Sequence, residues 1–382
     1  MRTYVRLGLL AVVLALAVLA GSGTPAYAWS YPAALNTNAA TDSGFDGWPQ
    51  VTTDGAGHWV AVWNSTDSLG GTIGTDADIL VARSTDYGAT WTAPAALNTN
   101  AATDSGHDTW PQVTTDGEGQ WVAVWQSDEN LGGTIGTDAD ILVARSTDNG
   151  ATWTAPAALN TNAATDFGND GSPQVATDSA DNWVAVWDSD DDLGGTIGTD
   201  NDILVARSTD NGEHWTDPEP LNTNAATDSG HDHYPQVTTD GGGHWVAVWQ
   251  SYDSLGGTIG TDLDILVAHS ADNGAIWTAP AALNTNAATD LGMDCVAQVT
   301  TDGKGHWVTV WHSDDSLGGT IGTDFDILYA KEPEAAPVGG IAALPDASDS
   351  AGRNYVALAA LAAAALGALG AGGWYARRRR VL

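Results

Sequence analysis

Cysteine is all but absent from this chain. Cys295 stands alone, so no disulfide can form within the molecule and the fold must be stable without covalent staples. Basic residues are scarce where most of the sequence lies. All 48 Asp and Glu fall between positions 29 and 353, opposed there only by Arg83, Arg145, Arg207, Lys304, Lys331 and Arg353. So acidic a stretch repels phosphate backbones, which argues against nucleic acid as a partner. Cations, basic proteins and neutral ligands stay compatible, and the charge also serves solubility. A helical period of 3.6 residues is missing between positions 29 and 331, which excludes helical repeats. Long apolar runs are missing too, except near the two ends.

Those two runs read as addresses. Residues 1–28 have a secretory leader's layout: Arg2 and Arg6, an apolar stretch from Leu7 to Ala20, and a small-x-small site at 26–28. Residues 355–376 are mostly Ala, Leu and Gly, long enough to cross a bilayer as one helix. Four arginines follow in the tail 377–382, expected to stay cytoplasmic. The stretch 332–354 is rich in Pro, Ala, Gly and Ser and reads as a stalk. Its "LPDAS" at 344–348 only faintly resembles a sortase signal, lacking the Thr and the Gly. The expectation is an extracellular region on a membrane anchor, monomeric, with its C-terminus inside the cell.

Between the ends the chain repeats itself. "STDNGATW" at 146–153 has counterparts starting at Ser84, Ser208 and Ser270, a spacing of 62 residues each time. The units run 29–90, 91–152, 153–214, 215–276 and 277–331. Each carries four strand candidates, in the second unit "PQVTT" (111–115), "QWVAVWQS" (120–127), "DILVARS" (140–146) and "TWTAPAAL" (152–159), separated by Gly and Asp turns. Four-stranded antiparallel units repeated in this way predict an all-β propeller of five blades. The array begins in a fourth strand and stops after a third. Residues 29–35 are therefore expected to complete the last blade and close the ring, removing exposed edges.

The octapeptide Ser-x-Asp-x-Gly-x-x-Trp suits a hairpin turn between third and fourth strands. Asp and Ser side chains can bond nearby backbone N–H groups, the glycine can take positive φ, and the Trp can fold back on the blade. On these four copies the chain resembles the Asp-box (BNR repeat) propellers, a family that includes sialidases. The likeness covers residues 29–331. It implies that Asp86, Asp148, Asp210 and Asp272 are structural, since in that family the Asp-box is a folding element remote from the active site.

The resemblance to sialidases implies an enzyme with three Arg around the substrate carboxylate, a Tyr–Glu nucleophile and an Asp acid/base. The residues do not follow. Arg83, Arg145 and Arg207 each precede an Asp-box, which puts them at the turn end of successive blades. The equivalent positions hold His269 and Lys331, the Arg-Ile-Pro motif is absent, and Glu118, Glu129, Glu213 and Glu219 have no evident Tyr partner. Sialidases also have six blades. No catalytic residue is assigned.

The opposite end of each blade carries the two longest and most acidic loops, "NTNAATDxGxD" and "SxxxLGGTIGTDxD". They repeat a quartet of carboxylates: Asp42, Asp46, Asp76 and Asp78; Asp104, Asp108, Asp138 and Asp140; Asp166, Asp170, Asp200 and Asp202; Asp228, Asp232, Asp262 and Asp264; Asp290, Asp294, Asp324 and Asp326. Such crowding suits either a Ca²⁺ in each blade or solvated turn caps. Variation among units concentrates just before the first strand. Phe45, His107, Asn169, His231 and Met293 are equivalent, as are Trp48, Trp110, Ser172, Tyr234 and Val296. These should rim a central channel, so Phe45, Trp48, His107, Trp110, His231, His233 and Tyr234 are the candidate ligand-binding residues. The expected role is binding or adhesion to a glycan or an extracellular protein. A sialidase-like glycoside hydrolase and a structural surface-layer protein are the alternatives; for the former, Asp46 and Asp232 could in principle act as acid and base.

Overall fold

The structure, a computed structural model, describes residues 30–332. The expected leader, apolar span and basic tail lie outside the described residues, as does the stalk apart from Glu332. Among the described residues every regular element is a strand, and no helix is long and apolar enough to cross a membrane.

The first blade comprises β1 (Asp46–Thr53), β2 (Trp59–Ser65), β3 (Asp78–Ser84) and β4 (Ala95–Ala96). The second holds β5 (Asp108–Thr115), β6 (Trp121–Ser127), β7 (Asp140–Ser146) and β8 (Ala157–Ala158). The third holds β9 (Asp170–Thr177), β10 (Trp183–Ser189), β11 (Asp202–Ser208) and β12 (Glu219–Pro220). The fourth holds β13 (Asp232–Thr239), β14 (Trp245–Ser251), β15 (Asp264–Ser270) and β16 (Ala281–Ala282). The fifth has only β17 (Asp294–Thr301), β18 (Trp307–Ser313) and β19 (Asp326–Lys331). All five are antiparallel meanders in chain order, the propeller-like repeat that the 62-residue period implies.

The core lies in the seams between blades. Alternation along "WVAVW" sends Val to one face of the sheet and Trp and Ala to the other. Val60, Val62, Ile79 and Val81 of the first blade thus meet Trp121, Ala123, Trp125 and Leu142 of the second, and the next two seams repeat the arrangement. Trp121, Trp125, Trp183, Trp187, Trp245 and Trp249 are fully buried there. Cores built from such large side chains supply the stability that no disulfide provides.

The expected closure by residues 29–35 does not occur among the described residues. The fifth sheet has three strands, and residues 30–35 belong to none. The inner strands touch in the order β1, β5, β9, β13, β17, without contact between β17 and β1. The outward face of the fifth blade is bare in consequence: Ile327 and Tyr329 are 74% and 72% exposed, whereas their counterparts Ile141 and Val143 are buried. The physical reason is the shortness of the closing ladder. In complete blades the fourth strand pairs through two residues only, as in Leu80↔Ala96 and Val81↔Ala95. So small a ladder adds little against the cost of ordering the segment that would form it. Leu35 nevertheless packs beside Trp63 and Leu80, where its repeats Leu97, Leu159 and Leu221 sit in the later seams.

Candidate functional site

The two ends of the blades treat aspartate in opposite ways. At the turn end, Ser84 Oγ donates to Asp86 Oδ1 at 2.7 Å. The Thr90 amide donates to the same oxygen at 2.9 Å and the Thr90 hydroxyl to Oδ2 at 2.7 Å. These donors, the Ser84 hydroxyl foremost, hold Asp86 down at about 2. Asp148 and Asp210 repeat the pattern, with the His214 ring replacing the Thr hydroxyl in the third copy. At Asp272 the Ile276 amide and the Ser270 hydroxyl donate. Gly88, Gly150, Gly212 and Gly274 all have positive φ, between 73° and 79°. Trp215 and Trp277 fold back to donate to the carbonyls of Gly212 and Gly274. The Asp-box aspartates are therefore fixed in turns, as the motif implies.

At the loop end carboxylates crowd together with few donors. Oxygens of Asp76, Asp78 and Asp104 come within 4.8 Å of one another, and so do those of Asp138, Asp140 and Asp166, of Asp200, Asp202 and Asp228, and of Asp262, Asp264 and Asp290. This corrects the quartets read from the sequence. Each group draws one aspartate from the loop after the second strand of a blade, one from the first residue of its third strand and one from the loop that opens the next blade. It therefore sits on a seam. Backbone bonds tie the same two loops: the Gly74 amide donates to Ala101 O at 2.8 Å and the Asp108 amide to Ala77 O at 2.7 Å. Asp108, Asp170, Asp232 and Asp294 are buried beside the groups. Asp42 and Asp46 instead accept from Asn36, at 3.2 and 2.8 Å. Asp324 and Asp326, on the uncovered fifth blade, join no group among the described residues.

Within each group one buried asparagine is the principal donor. Asn98 Nδ2 donates to Asp78 Oδ1 at 2.8 Å and to Asp104 Oδ2 at 3.3 Å, while its Oδ1 accepts from the Ile79 amide. Asn160, Asn222 and Asn284 do the same for Asp140, Asp202 and Asp264. Burial, then the charges of Asp104 and Asp76, pushes Asp78 up to about 7. Asp140, Asp202 and Asp264 likewise stand at about 7 through burial, opposed by that asparagine. Burial and the Asp76 charge raise Asp104 to about 6.

The central channel has a different chemistry. It is lined by Gln50, Gln112, Gln174, Gln236 and Gln298 and holds a cavity of about 160 Å³. At its mouth the first strand of every blade bulges. The bulge puts Trp48, Trp110, Ser172, Tyr234 and Val296 in the left-handed region, with φ between 46° and 54°. Such a backbone is costly for aromatic and β-branched residues. Four of the five also precede proline, which adds to the restriction. The result is aromatic convergence. Trp48 and Trp110 lie 4.9 Å apart between ring centroids, Trp110 and Tyr234 6.1 Å, and Phe45 stands edge-on to Trp48 at 6.0 Å. His233 extends the group, 6.2 Å from Tyr234 and stacked on His231 at 5.9 Å. Six of the seven candidate residues thus meet. His107 does not; its Nδ1 accepts from the Ala77 amide in the neighbouring loop.

Sequence reading missed two features. Asp188 approaches His233 Nδ1 at 3.3 Å, next to the aromatic group. Its equivalents are Asn64, Gln126, Gln250 and His312, a variation within a strand otherwise read as scaffold. The buried Asn98 series was hidden by its uniformity, although "LNTN" recurs in every unit. A larger groove of about 730 Å³ opens away from the channel, against Asp166, Phe167, Asp190, Asp191, Asp192 and Asp217. Asp46 and Asp232 do not face a common site: Asp46 accepts from Asn36 and Trp63, and Asp232 is fully buried against Asn222.

No protein-family model matches the chain, and no curated protein matches it in sequence. Solved structures with a similar fold include a Hadza microbial sialidase, 18% identical with a TM-score of 0.45, which covers 75% of this chain and 56% of its own. The chain thus spans little more than half of that protein. Another is the intramolecular trans-sialidase of Ruminococcus gnavus in complex with oseltamivir carboxylate, at 13% identity and TM-score 0.44, over 75% of this chain and 84% of that one. A third is an alpha-L-arabinofuranosidase of Fusarium graminearum with arabinobiose, at 13% identity and TM-score 0.44, over 74% and 80%.

Proposed function

We propose that the protein is a binding propeller that takes up a neutral glycan at the mouth of its central channel. The observation that carries this reading is the convergence of Trp48, Trp110 and Tyr234, from three blades, onto one partly exposed surface. Flat aromatic faces pack against the C–H face of a sugar ring while leaving its hydroxyls for hydrogen bonds. The residues around them supply such partners: His231, His233, Asp188 and the glutamine column. The strained backbone beneath each rim residue is a second support, since strain of this kind concentrates at functional sites.

The cavity below the rim is smaller than the about 300–1,000 Å³ of most small-molecule sites, so the ligand rests across the mouth. Charge points to a neutral ligand. All five described Lys and Arg residues belong to the turn end or to the strand ends beside it, leaving no Lys or Arg at the rim to clamp a carboxylate. The sequence-based leader and apolar span fit display at a cell surface, as an adhesion module.

The test is a glycan array probed with the full chain. Saturable binding to neutral glycans is expected, weakened about tenfold by Trp110→Ala, which corresponds to about 1.4 kcal/mol. A blank array, or a Trp48→Ala/Trp110→Ala protein that binds like the wild type, would remove the rim from the account.

A further inference from the structure

We propose that each of the four seams between consecutive blades binds one calcium ion, held by two aspartates from one blade and one from the loop that opens the next. The clearest case is Asp138, Asp140 and Asp166. Crowding alone would carry no such conclusion. The additional observation is that the buried carboxylates offer oxygens with nothing to bind. Asp140 is wholly buried, and while its Oδ1 accepts from Asn160 at 2.7 Å, its Oδ2 has no partner. Oδ2 of Asp138 and Oδ1 of Asp166 are also buried and unpartnered. The other three groups repeat this for Asp78, Asp202 and Asp264, each no more than 1% exposed with Oδ2 unpartnered.

A buried carboxylate oxygen without a donor costs free energy unless a cation or a proton meets it. The spacing fits a cation. Oxygens around one Ca²⁺ at about 2.4 Å lie at most about 4.8 Å apart, and each group falls within that span. Calcium suits the donors better than magnesium, because hard carboxylate oxygens on irregular loops match its loose geometry. Zinc would look for His or Cys, and none belongs to any group. An ion here joins two blades at the point where Gly136 N already donates to Ala163 O at 2.9 Å. The fifth set is divided by the open seam, with Asp42 and Asp46 on one side and Asp324 and Asp326 on the other, so the expected number is four.

This inference is independent of the glycan reading, and its readout is the metal alone. The full chain, stripped with chelator, is titrated with Ca²⁺ by calorimetry and equilibrium dialysis in the presence of excess Mg²⁺. Saturation at four ions per chain is expected, with a melting temperature that rises on loading and falls back with chelator. Asp140→Asn keeps the shape of the side chain and its bond from Asn160, so it should fold in chelator yet bind three ions. Asp148→Asn, at the turn end, should still bind four. Binding of less than one ion per chain overturns the proposal, as does an Asp140→Asn protein that binds as many ions as the wild type. Full displacement by Mg²⁺ would overturn the assignment to calcium.

Discussion

Asp148 and Asp140 stand eight residues apart in one blade and live under opposite rules. Asp148, at the turn end, is exposed, yet it accepts from the Thr152 amide, the Thr152 hydroxyl and Ser146. Asp140, at the loop end, is fully buried and receives one donor, from Asn160. The first is held below the usual carboxylate range and the second well above it. Asp140 has lost its water to burial and has one donor in exchange, whereas Asp148 keeps water and gains several donors. The turn end is saturated and self-contained, as a folding element should be. The loop end is short of positive charge, and there buried carboxylate oxygens stand without a partner.

The largest predicted effect comes from removing the loop end's donor. Asn160→Asp would replace the amide facing Asp140 and Asp166 with another carboxylate, at a position that is itself fully buried. An uncompensated buried charge costs about 3–5 kcal/mol. Chemical denaturation in chelator should show a loss of that order, partly restored by Ca²⁺. A loss below about 1 kcal/mol would mean that the group is far better solvated than its burial implies.

The turn end should break by shape instead. Gly150 has φ of +73°, and a Cβ there would come 2.6 Å from Val60 Cγ2 across the seam. Gly88 has φ of +79° and would meet nothing within 4 Å, because no blade packs in front of the first. Left-handed strain costs about 1–2 kcal/mol for alanine, and a core clash about 1–3 kcal/mol more. Gly88→Ala should therefore lose about 1–2 kcal/mol and Gly150→Ala about 2–5 kcal/mol, compared by urea midpoints. Equal losses would show that the first blade is covered in solution as the others are.

Much of this was legible in the sequence, because repetition states each local rule several times over. The 62-residue period, the Trp/Val alternation and the Asp-box turn each follow from short-range chemistry, and the first three strands of each blade lie where that chemistry puts them; the fourth, expected over 152–159 in the second unit, is only Ala157–Ala158. The aromatic rim was legible for the opposite reason: it is where equal units differ. What stayed hidden depends on the pairing of neighbours. A linear reading groups Asp42 with Asp76 because they share a unit, whereas the fold groups Asp76 with Asp104 because consecutive loops meet on a seam. Closure was misjudged in the same way. Repeat arithmetic assigns residues 29–35 to the fifth blade, but a two-residue ladder does not hold that segment there.

The smallest predicted effect concerns the cations. Arg83, Arg145 and Arg207 look like a carboxylate clamp in sequence, since they fall at one position of three consecutive units. The structure leaves them at the turn end. Arg145 lies 3.6 Å from Glu213 of the following blade, and a pair this exposed is worth about 0–1 kcal/mol. Its side chain also passes the neighbouring Asp-box, with Cδ 3.5 Å from where a Cβ on Gly212 would stand. Arg145→Ala should thus cost less than about 1 kcal/mol and leave glycan binding unchanged, both read on one preparation by denaturation and by array. Lost binding with intact stability would bring the ligand to the turn end, the end whose carboxylates are already satisfied. Unchanged binding would leave the two ends with separate tasks: one locks the blades, and the other meets the ligand.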